Sequence, residues 1–318
     1  MIKKYFFKDL KKNEWDLFLS ENYNDNLLFS YDIIKYEQEY FKSINESYYY
    51  KYLNEIAVIK IYKSEDKIYF SQIFFSDITS YNLNTLKNIS KLVFSDLNNL
   101  EGELNPLKEY CHSEKSDVFY SYFRESFVLN PIFEFWSDIT KSKSDLWGDL
   151  RSSYRNLIKK NSDKFEIKFP DNFNISLYKQ LHYEVSGRVT RSNLTWEYQE
   201  RMFNDRKLIV CEAYYEKNLT GYSFFNLNNK TAQYSISVTQ RELHSKFPSA
   251  HIMIWESILK LKSLGIHDFY IGFGRNLSKP KTKIDKINLF KSGFTNKLKK
   301  SLLIEKENDE YFQTGIFK

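Results

Sequence analysis

Residues 208–273 read LIVCEAYYEKNLTGYSFFNLNNKTAQYSISVTQRELHSKFPSAHIMIWESILKLKSLGIHDFYIGF, and their pattern decides the fold class. Three runs, Leu208–Tyr215, Tyr222–Leu227 and Ala232–Val238, have the length and composition of strands. The polar turn Asn228-Asn229-Lys230 suits a tight hairpin between the last two. A loop, Thr239–Phe247, then leads to Pro248, which fits the first turn of a helix. Gly265 stands where a helix-ending glycine belongs, and a fourth strand, Asp268–Phe273, follows directly. Three strands, a loop, a helix and a strand describe a mixed sheet with a helix packed on it, an α/β class with mixed sheets.

Upstream, Phe165–Phe169 is a strand ended by Pro170. Ile175–Val185 and Thr195–Phe203 are helices joined by the segment Ser186 to Arg191. Leu146, Leu150, Tyr154 and Ile158 make the apolar stripe of a single amphipathic helix, ringed by Arg151, Arg155, Lys159 and Lys160. The polar segment Ser137–Ser144 before it reads as a seam. The spacing therefore predicts two domains, 1–143 and 144–318. In the first, Glu14–Tyr23 and Tyr31–Lys42 look helical, and Leu86, Ile89, Leu92, Val93 and Leu97 follow helical spacing. Ile56–Lys63 and Lys67–Phe75 read as a hairpin, and Val118–Val128 is strand-like.

Composition narrows the function classes. The chain has 318 residues, 42% hydrophobic and 28% charged, an ordinary globular balance with room for two cores. A formal charge of +6, from 47 basic and 41 acidic residues, suits an anionic ligand. The charge is too small and too dispersed to point to DNA. The two cysteines, Cys111 and Cys211, are far apart and the five histidines scattered, so no zinc or other metal site is expected. P-loop, GxGxxG and HExxH patterns are absent, which weighs against common nucleotide hydrolases, dinucleotide enzymes and zinc proteases. With Lys8 interrupting Tyr5-Phe6-Phe7, and without a run of about 18 apolar residues, a cytoplasmic chain with no membrane span is expected.

Four places could carry chemistry. A loop feeding a helix N-terminus is an anion site, because free N–H groups and the helix dipole point outward there. Here it holds Gln240, Arg241, Ser249 and Ala250 but no glycine, so it is equally an ordinary strand-to-helix loop. Arg188 and Arg191, followed by Trp196, can converge on a phosphate or carboxylate, or can simply face solvent. Lys291, in Asn288-Leu289-Phe290-Lys291-Ser292-Gly293-Phe294, could be held rigidly between aromatics and aimed at a substrate. His182, Glu184 and His251 are candidate general bases, although a histidine at a helix start more often packs or caps.

The segment His182-Tyr183-Glu184-Val185-Ser186-Gly187-Arg188-Val189-Thr190-Arg191-Ser192, with Thr195-Trp196 and Gln199-Glu200-Arg201-Met202, resembles the centre of FemAB-type proteins. So does the later order of a strand with Tyr234, Arg241-Glu242-Leu243, a helix ending at Gly265, a strand ending near Gly272, and Phe290-Lys291-Ser292-Gly293-Phe294. The run from Leu146 to Lys160 is similar to the family's entry into its second domain, and Trp15-Asp16 and the helix near Tyr31 to its start. The resemblance spans nearly the whole chain and is specific from about residue 146 to 294.

It implies two GNAT-like domains, the first degenerate, with a cleft between them. It also implies an acyl- or aminoacyl-transferase that forms an amide on an amino group of a cell-envelope precursor. The donor would be acyl-CoA or aminoacyl-tRNA. The acceptor would be a nucleotide- or lipid-linked glycan precursor, with peripheral association at a membrane surface. Lys291 matches the family's Phe-Lys position, and Asp268 and Tyr270 complete the implied catalytic set. Arg188, Arg191, Trp196, Tyr234, Ser237, Phe290 and Arg275 are implied on the acceptor side. Gln240, Arg241, Ser249, Ala250, Arg155 and Lys160 are implied on the donor side.

One departure stands out. Where relatives carry an acid at the strand end, this chain reads Gly272-Phe273-Gly274, and Asp268 sits roughly 13 Å further back along a regular strand. A catalytically degenerate binding module of the same fold is the alternative that this departure raises.

Overall fold

The computed structural model describes residues 2–22, 29–52, 55–64, 67–75, 83–98, 103–105, 107–109, 127–274 and 282–306. The chain divides into two compact units. One is Met1–Ile132 with Lys300–Lys318, and the other is Phe133–Lys299.

The first unit contains β1 (Lys3–Phe6), α1 (Lys12–Asn22), α2 (Tyr31–Phe41), β2 (Ile44–Asn45), β3 (Tyr48–Tyr52), β4 (Glu55–Ser64), β5 (Lys67–Phe75), α3 (Leu83–Asn98), β6 (Glu103–Asn105) and β7 (Leu107–Glu109). The expected hairpin is present as β4 and β5, paired from Ala57–Phe75 to Ser64–Lys67 with a register shift between Lys60 and Ile61. The strand-like residues 118–126 lie outside the described residues. The aromatic surplus of the N-terminal sequence fills a core here. Trp15 is fully buried, edge-on to Phe7 at 4.8 Å, and its indole N–H donates to the Phe29 carbonyl at 2.7 Å. An indole is buried without loss only when its N–H finds an acceptor. Lys60 is likewise buried against Glu37 at 2.7 Å.

The second unit begins within β8 (Phe127–Asp138) and continues through α4 (Lys143–Asp149), α5 (Ser152–Asn161), β9 (Glu166–Lys168), α6 (Ile175–Ser186), α7 (Asn193–Asn204), β10 (Leu208–Tyr215), β11 (Asn218–Asn228) and β12 (Thr231–Thr239). It ends with α8 (Arg241–Lys246), α9 (Ser249–Ser263), β13 (Asp268–Gly274), α10 (Lys283–Ser292) and the start of β14 (Lys297–Lys306). Its sheet runs β8-β13-β12-β11-β10-β9, with β12 and β13 parallel and the other pairs antiparallel. α9 is apolar almost all round and seals one face, with Ile252, Met253, Ile254, Ile258 and Leu261 buried against Phe225, Phe269 and Ile271.

Three readings of the sequence are corrected. The seam at Ser137–Ser144 is not all linker, because β8 runs through Asp138 and pairs with β13 from Asp268 to Gly274. The amphipathic run from Leu146 to Lys160 is two helices, broken at Leu150 and Arg151, both in extended conformation. The break frees the Arg151 N–H, which donates to the Gly293 carbonyl at 2.8 Å instead of closing a helical turn. The expected loop Thr239–Phe247 contains the short helix α8.

Candidate active site

The parallel pair β12–β13 holds together for three residues only, Thr231–Gln233 against Asp268–Tyr270. Beyond them no ladder bond joins the two strands among the described residues, and they part as a fork. Backbone groups facing such an opening are available to a ligand. A β-bulge in β12 shapes one side. Phe224 pairs with Ile236 and Phe225 with Tyr234, so Ser235 is the extra residue. The bulge brings Tyr234 and Ser237 to the same face, where an alternating strand would separate them. The Ser223 hydroxyl donates to Ser237 at 2.9 Å. Burial pushes the Tyr234 hydroxyl up to about 12, partly offset by hydrogen bonds with Ser237 and Ser223. This tyrosine is protonated at neutral pH.

The other side of the fork belongs to Lys291. A Cβ built at Gly272 would stand 2.7 Å from Lys291 Nζ and 2.8 Å from its Cδ. The amine therefore lies on the bare backbone of Gly272, where φ is +140°. Asn288, one turn earlier in α10, packs against Gly274 in the same way, with 2.8 Å from its Cβ to the position of a Gly274 Cβ. Two glycines two residues apart on one strand face let the helix settle on the strand. The Lys291 amine is 5.8 Å from the centre of the Tyr234 ring. Among the described residues no carboxylate pairs with it, and burial lowers its pKa below the ordinary lysine value. The space left by the missing side chain of Gly272 is thus occupied by an amine.

A bracket fixes this lysine. The Arg151 guanidinium donates to the Leu289 carbonyl and to Ser292 Oγ, each at 3.2 Å. Tyr154 donates to the Phe290 carbonyl at 3.1 Å, and its ring closes on Gly293. His251 stands edge-on to Tyr154 at 4.3 Å and to Phe290 at 5.0 Å. The last turn of α10 is therefore clamped on both sides of Lys291. Arg151→Ala is expected to lower turnover about tenfold while leaving substrate affinity unchanged, because the clamp aims the amine and binds nothing else. Separate kcat and KM measurements check this, and a change confined to KM would contradict it.

The remaining sequence candidates separate. Asp268 begins β13 and pairs with Lys297 at 3.4 Å on the surface, and Tyr270 is buried against Trp136 at 5.0 Å. Phe290 belongs to the clamp. Arg275 lies outside the described residues.

Arg188, Arg191 and Trp196 line a separate pocket of about 340 Å³ together with Lys179 and His182. Arg191 stacks over the Trp196 ring at 5.7 Å. His182 bonds Thr190 at 2.8 Å and Tyr222 at 3.2 Å. Burial, with help from Arg191, brings the His182 pKa down to about 4. Between pH 4 and the ordinary histidine value of 6.5 the unfolded chain binds a proton there that the folded chain does not. Stability therefore rises with pH across this window and is fully present above it. Thermal melts of His182→Gln should show a shallower slope from pH 4 to 6.5 than the parent; equal slopes would exclude the assignment.

The donor-side candidates are largely committed to the fold. Arg155 donates to the carbonyls of Gly148 and Leu150. Ser249 and Ala250 are buried, the Ser249 N–H is bonded to the Phe247 carbonyl at 2.8 Å, and the His251 N–H to the Pro248 carbonyl at 3.0 Å. The Gln240 N–H donates to the Thr220 carbonyl at 2.9 Å. Arg241 and Lys160 are exposed. The clamp residues Arg151 and Tyr154 were not singled out from sequence as site residues. Their only signal was the helical stripe.

By sequence, no family model and no curated protein matches the chain. By structure it is similar to FemX, at TM-score 0.67 and 10% identity over 98% of this chain and 99% of that one. It is also similar to L-PGS from Bacillus licheniformis, at TM-score 0.60 and 12% identity over 96% and 94% of the two chains. A tandem GNAT protein from the clavulanic acid biosynthesis pathway aligns at TM-score 0.54 and 9% identity, over 96% and 98%. These alignments agree on the fold: the chain has the α/β fold of FemX and of a tandem GNAT protein.

Proposed function

We propose that the chain is an amide-forming transferase that moves an aminoacyl group from aminoacyl-tRNA to the amino group of a cell-envelope precursor. The observation that carries this is the Lys291 amine held over Gly272 at the mouth of the β12–β13 fork. In the reaction the acceptor's lone pair attacks the ester carbonyl, and the new C–N bond leaves a tetrahedral oxyanion. Collapse breaks the ester C–O bond, and the proton leaving the nitrogen goes to the departing ribose hydroxyl. Lys291 donates a hydrogen bond to the oxyanion. A buried ammonium with no carboxylate partner among the described residues gains most when negative charge arrives beside it. It therefore favours the transition state over the ground state. Tyr234 forms the opposite wall.

One feature favours tRNA over coenzyme A. The N–H groups of Ser249 and His251 at the start of α9 are already bonded to protein carbonyls, which weakens a pyrophosphate site there. The Arg188–Arg191 pocket is assigned to the anionic part of the acceptor, such as the phosphate of a nucleotide- or lipid-linked glycan precursor. No described helix is long and apolar enough to cross a membrane.

Calorimetry with charged tRNA and with acetyl-CoA tests the donor. Saturable tRNA binding that weakens with salt, with acetyl-CoA silent, is the expected result. Saturable acetyl-CoA binding would overturn the donor assignment. Silence from both would leave a binding module that keeps the fold without the chemistry.

A further inference from the structure

A surface pocket of about 560 Å³, separate from the fork, is lined by Lys143, Ser144, Trp147 and Trp255. Trp255, on α9, is buried and meets Trp147 of α4 edge-on, with ring centres 4.9 Å apart and planes at 67°. Trp147 is held by this contact but keeps part of its surface at solvent. Lys159 places its ammonium 5.9 Å from the Trp147 ring centre, and Lys143 stands on the rim; both are exposed. One carboxylate, Glu256, neighbours Lys143, and burial raises its pKa, so its charge is disfavoured there.

An anchored indole flanked by two exposed ammonium groups matches one ligand chemistry well. A planar base stacks on the ring, and the phosphate attached to it meets the cations. The pocket shares α9 with the clamp around Lys291. Trp255 follows His251 by four residues on α9, about 6 Å along the helix axis. His251 packs on Phe290, the neighbour of Lys291.

We propose that this pocket binds the terminal nucleotide of the acyl donor, its base on Trp147 and its phosphate between Lys143 and Lys159. The inference rests on the transferase reading above for its role, but not for the binding itself. An adenine nucleotide is the chemistry shared by the 3′ end of a tRNA and by coenzyme A, so the probes must separate the two sources.

The experiment is calorimetry on the full chain with adenosine 5′-monophosphate, coenzyme A and uncharged tRNA. The variants are Trp147→Ala, Trp147→Phe and the pair Lys143→Ala with Lys159→Ala. We expect the adenosine monophosphate to bind. Trp147→Ala should weaken it about tenfold, the weight of one base–aromatic stack, and Trp147→Phe should hold it within about threefold. The lysine pair should flatten the salt dependence of the polymer probe. Binding of tRNA but not coenzyme A, or the reverse, names the source, and either supports the pocket.

No nucleotide binding by the parent chain would overturn the proposal. So would unchanged binding in both the Trp147→Ala protein and the lysine pair. The lysine pair and Trp147→Phe keep the test sound should Trp147→Ala fail to fold. Binding that depends on Trp147 in a chain without transfer would sink the transferase reading alone. Transfer that survives with nucleotide binding independent of Trp147 would sink the pocket alone.

Discussion

Lys291→Met should fold, bind its substrates and lose transfer by a factor on the order of 10² to 10³, the usual cost of removing one donor to a reacting oxyanion. Methionine keeps the length and most of the volume of the lysine stem, so the packing on Gly272 and against Tyr234 survives. It removes only the charge and the donor. Stability should hold or increase, because burial already disfavours the ammonium in the folded chain. The sign of the pH dependence follows. The folded pKa of Lys291 lies below the unfolded value, so between the two the unfolded chain holds the extra proton. Stability contributed by this site therefore rises with pH through that alkaline window in the parent, and the variant lacks the rise. Initial-rate kinetics and melts at pH 7 to 10 check both halves. A Lys291→Met protein that turned over at the parental rate would remove the lysine from the chemistry.

Gly272→Ala should cut transfer as deeply as Lys291→Met while leaving a folded chain. Two costs add at this position. A φ of +140° is a conformation that L-residues rarely adopt, worth about 1–3 kcal/mol of strain. The new methyl would also stand 2.7 Å from the Lys291 amine and 2.8 Å from its Cδ. Because those atoms are the far end of a flexible side chain, the lysine yields before the strand does. The clash is thus relieved by moving the amine away from the fork. A melting temperature lowered by several degrees, with transfer reduced as far as in Lys291→Met, is the expected pair of results. Parental activity in a folded Gly272→Ala protein would show that the amine need not lie on this glycine. Gly272 is then the space into which the lysine fits.

These two positions show how far the sequence could be read. The hairpin β11–β12, the helix ended by Gly265 and the strand β13 were legible because each is dictated by near neighbours. An alternating run, a polar turn and a terminating glycine act within a few residues, and the turn appears with Asn229 at a φ of +36°. Lys291, Tyr234 and Ser237 were legible as candidates through their order along the chain. Their relation was not. Tyr234 and Ser237 share a face only because a bulge absorbs Ser235, and a bulge is set by the mismatch between two strands rather than by either strand alone.

The clamp was less legible still. Arg151 and Tyr154 looked like one more charge and one more apolar position on a continuous helix. Their contacts are with Leu289, Phe290, Ser292 and Gly293, about 140 residues later. The gain from meeting those carbonyls breaks the helix at Leu150, and helical periodicity carries no record of a long-range competitor.

The amino-acid sequence by itself therefore determined the order of elements, the mixed sheet and the short set of chemically capable residues, because local propensity and patterning suffice for these. The tertiary structure decided which of them meet. It placed the Lys291 amine on Gly272, turned Arg155 and the start of α9 inward to satisfy backbone groups, and put two tryptophans from different helices into one pocket. Each of those outcomes depends on distances between segments far apart in the chain, and these exist only once the core has packed.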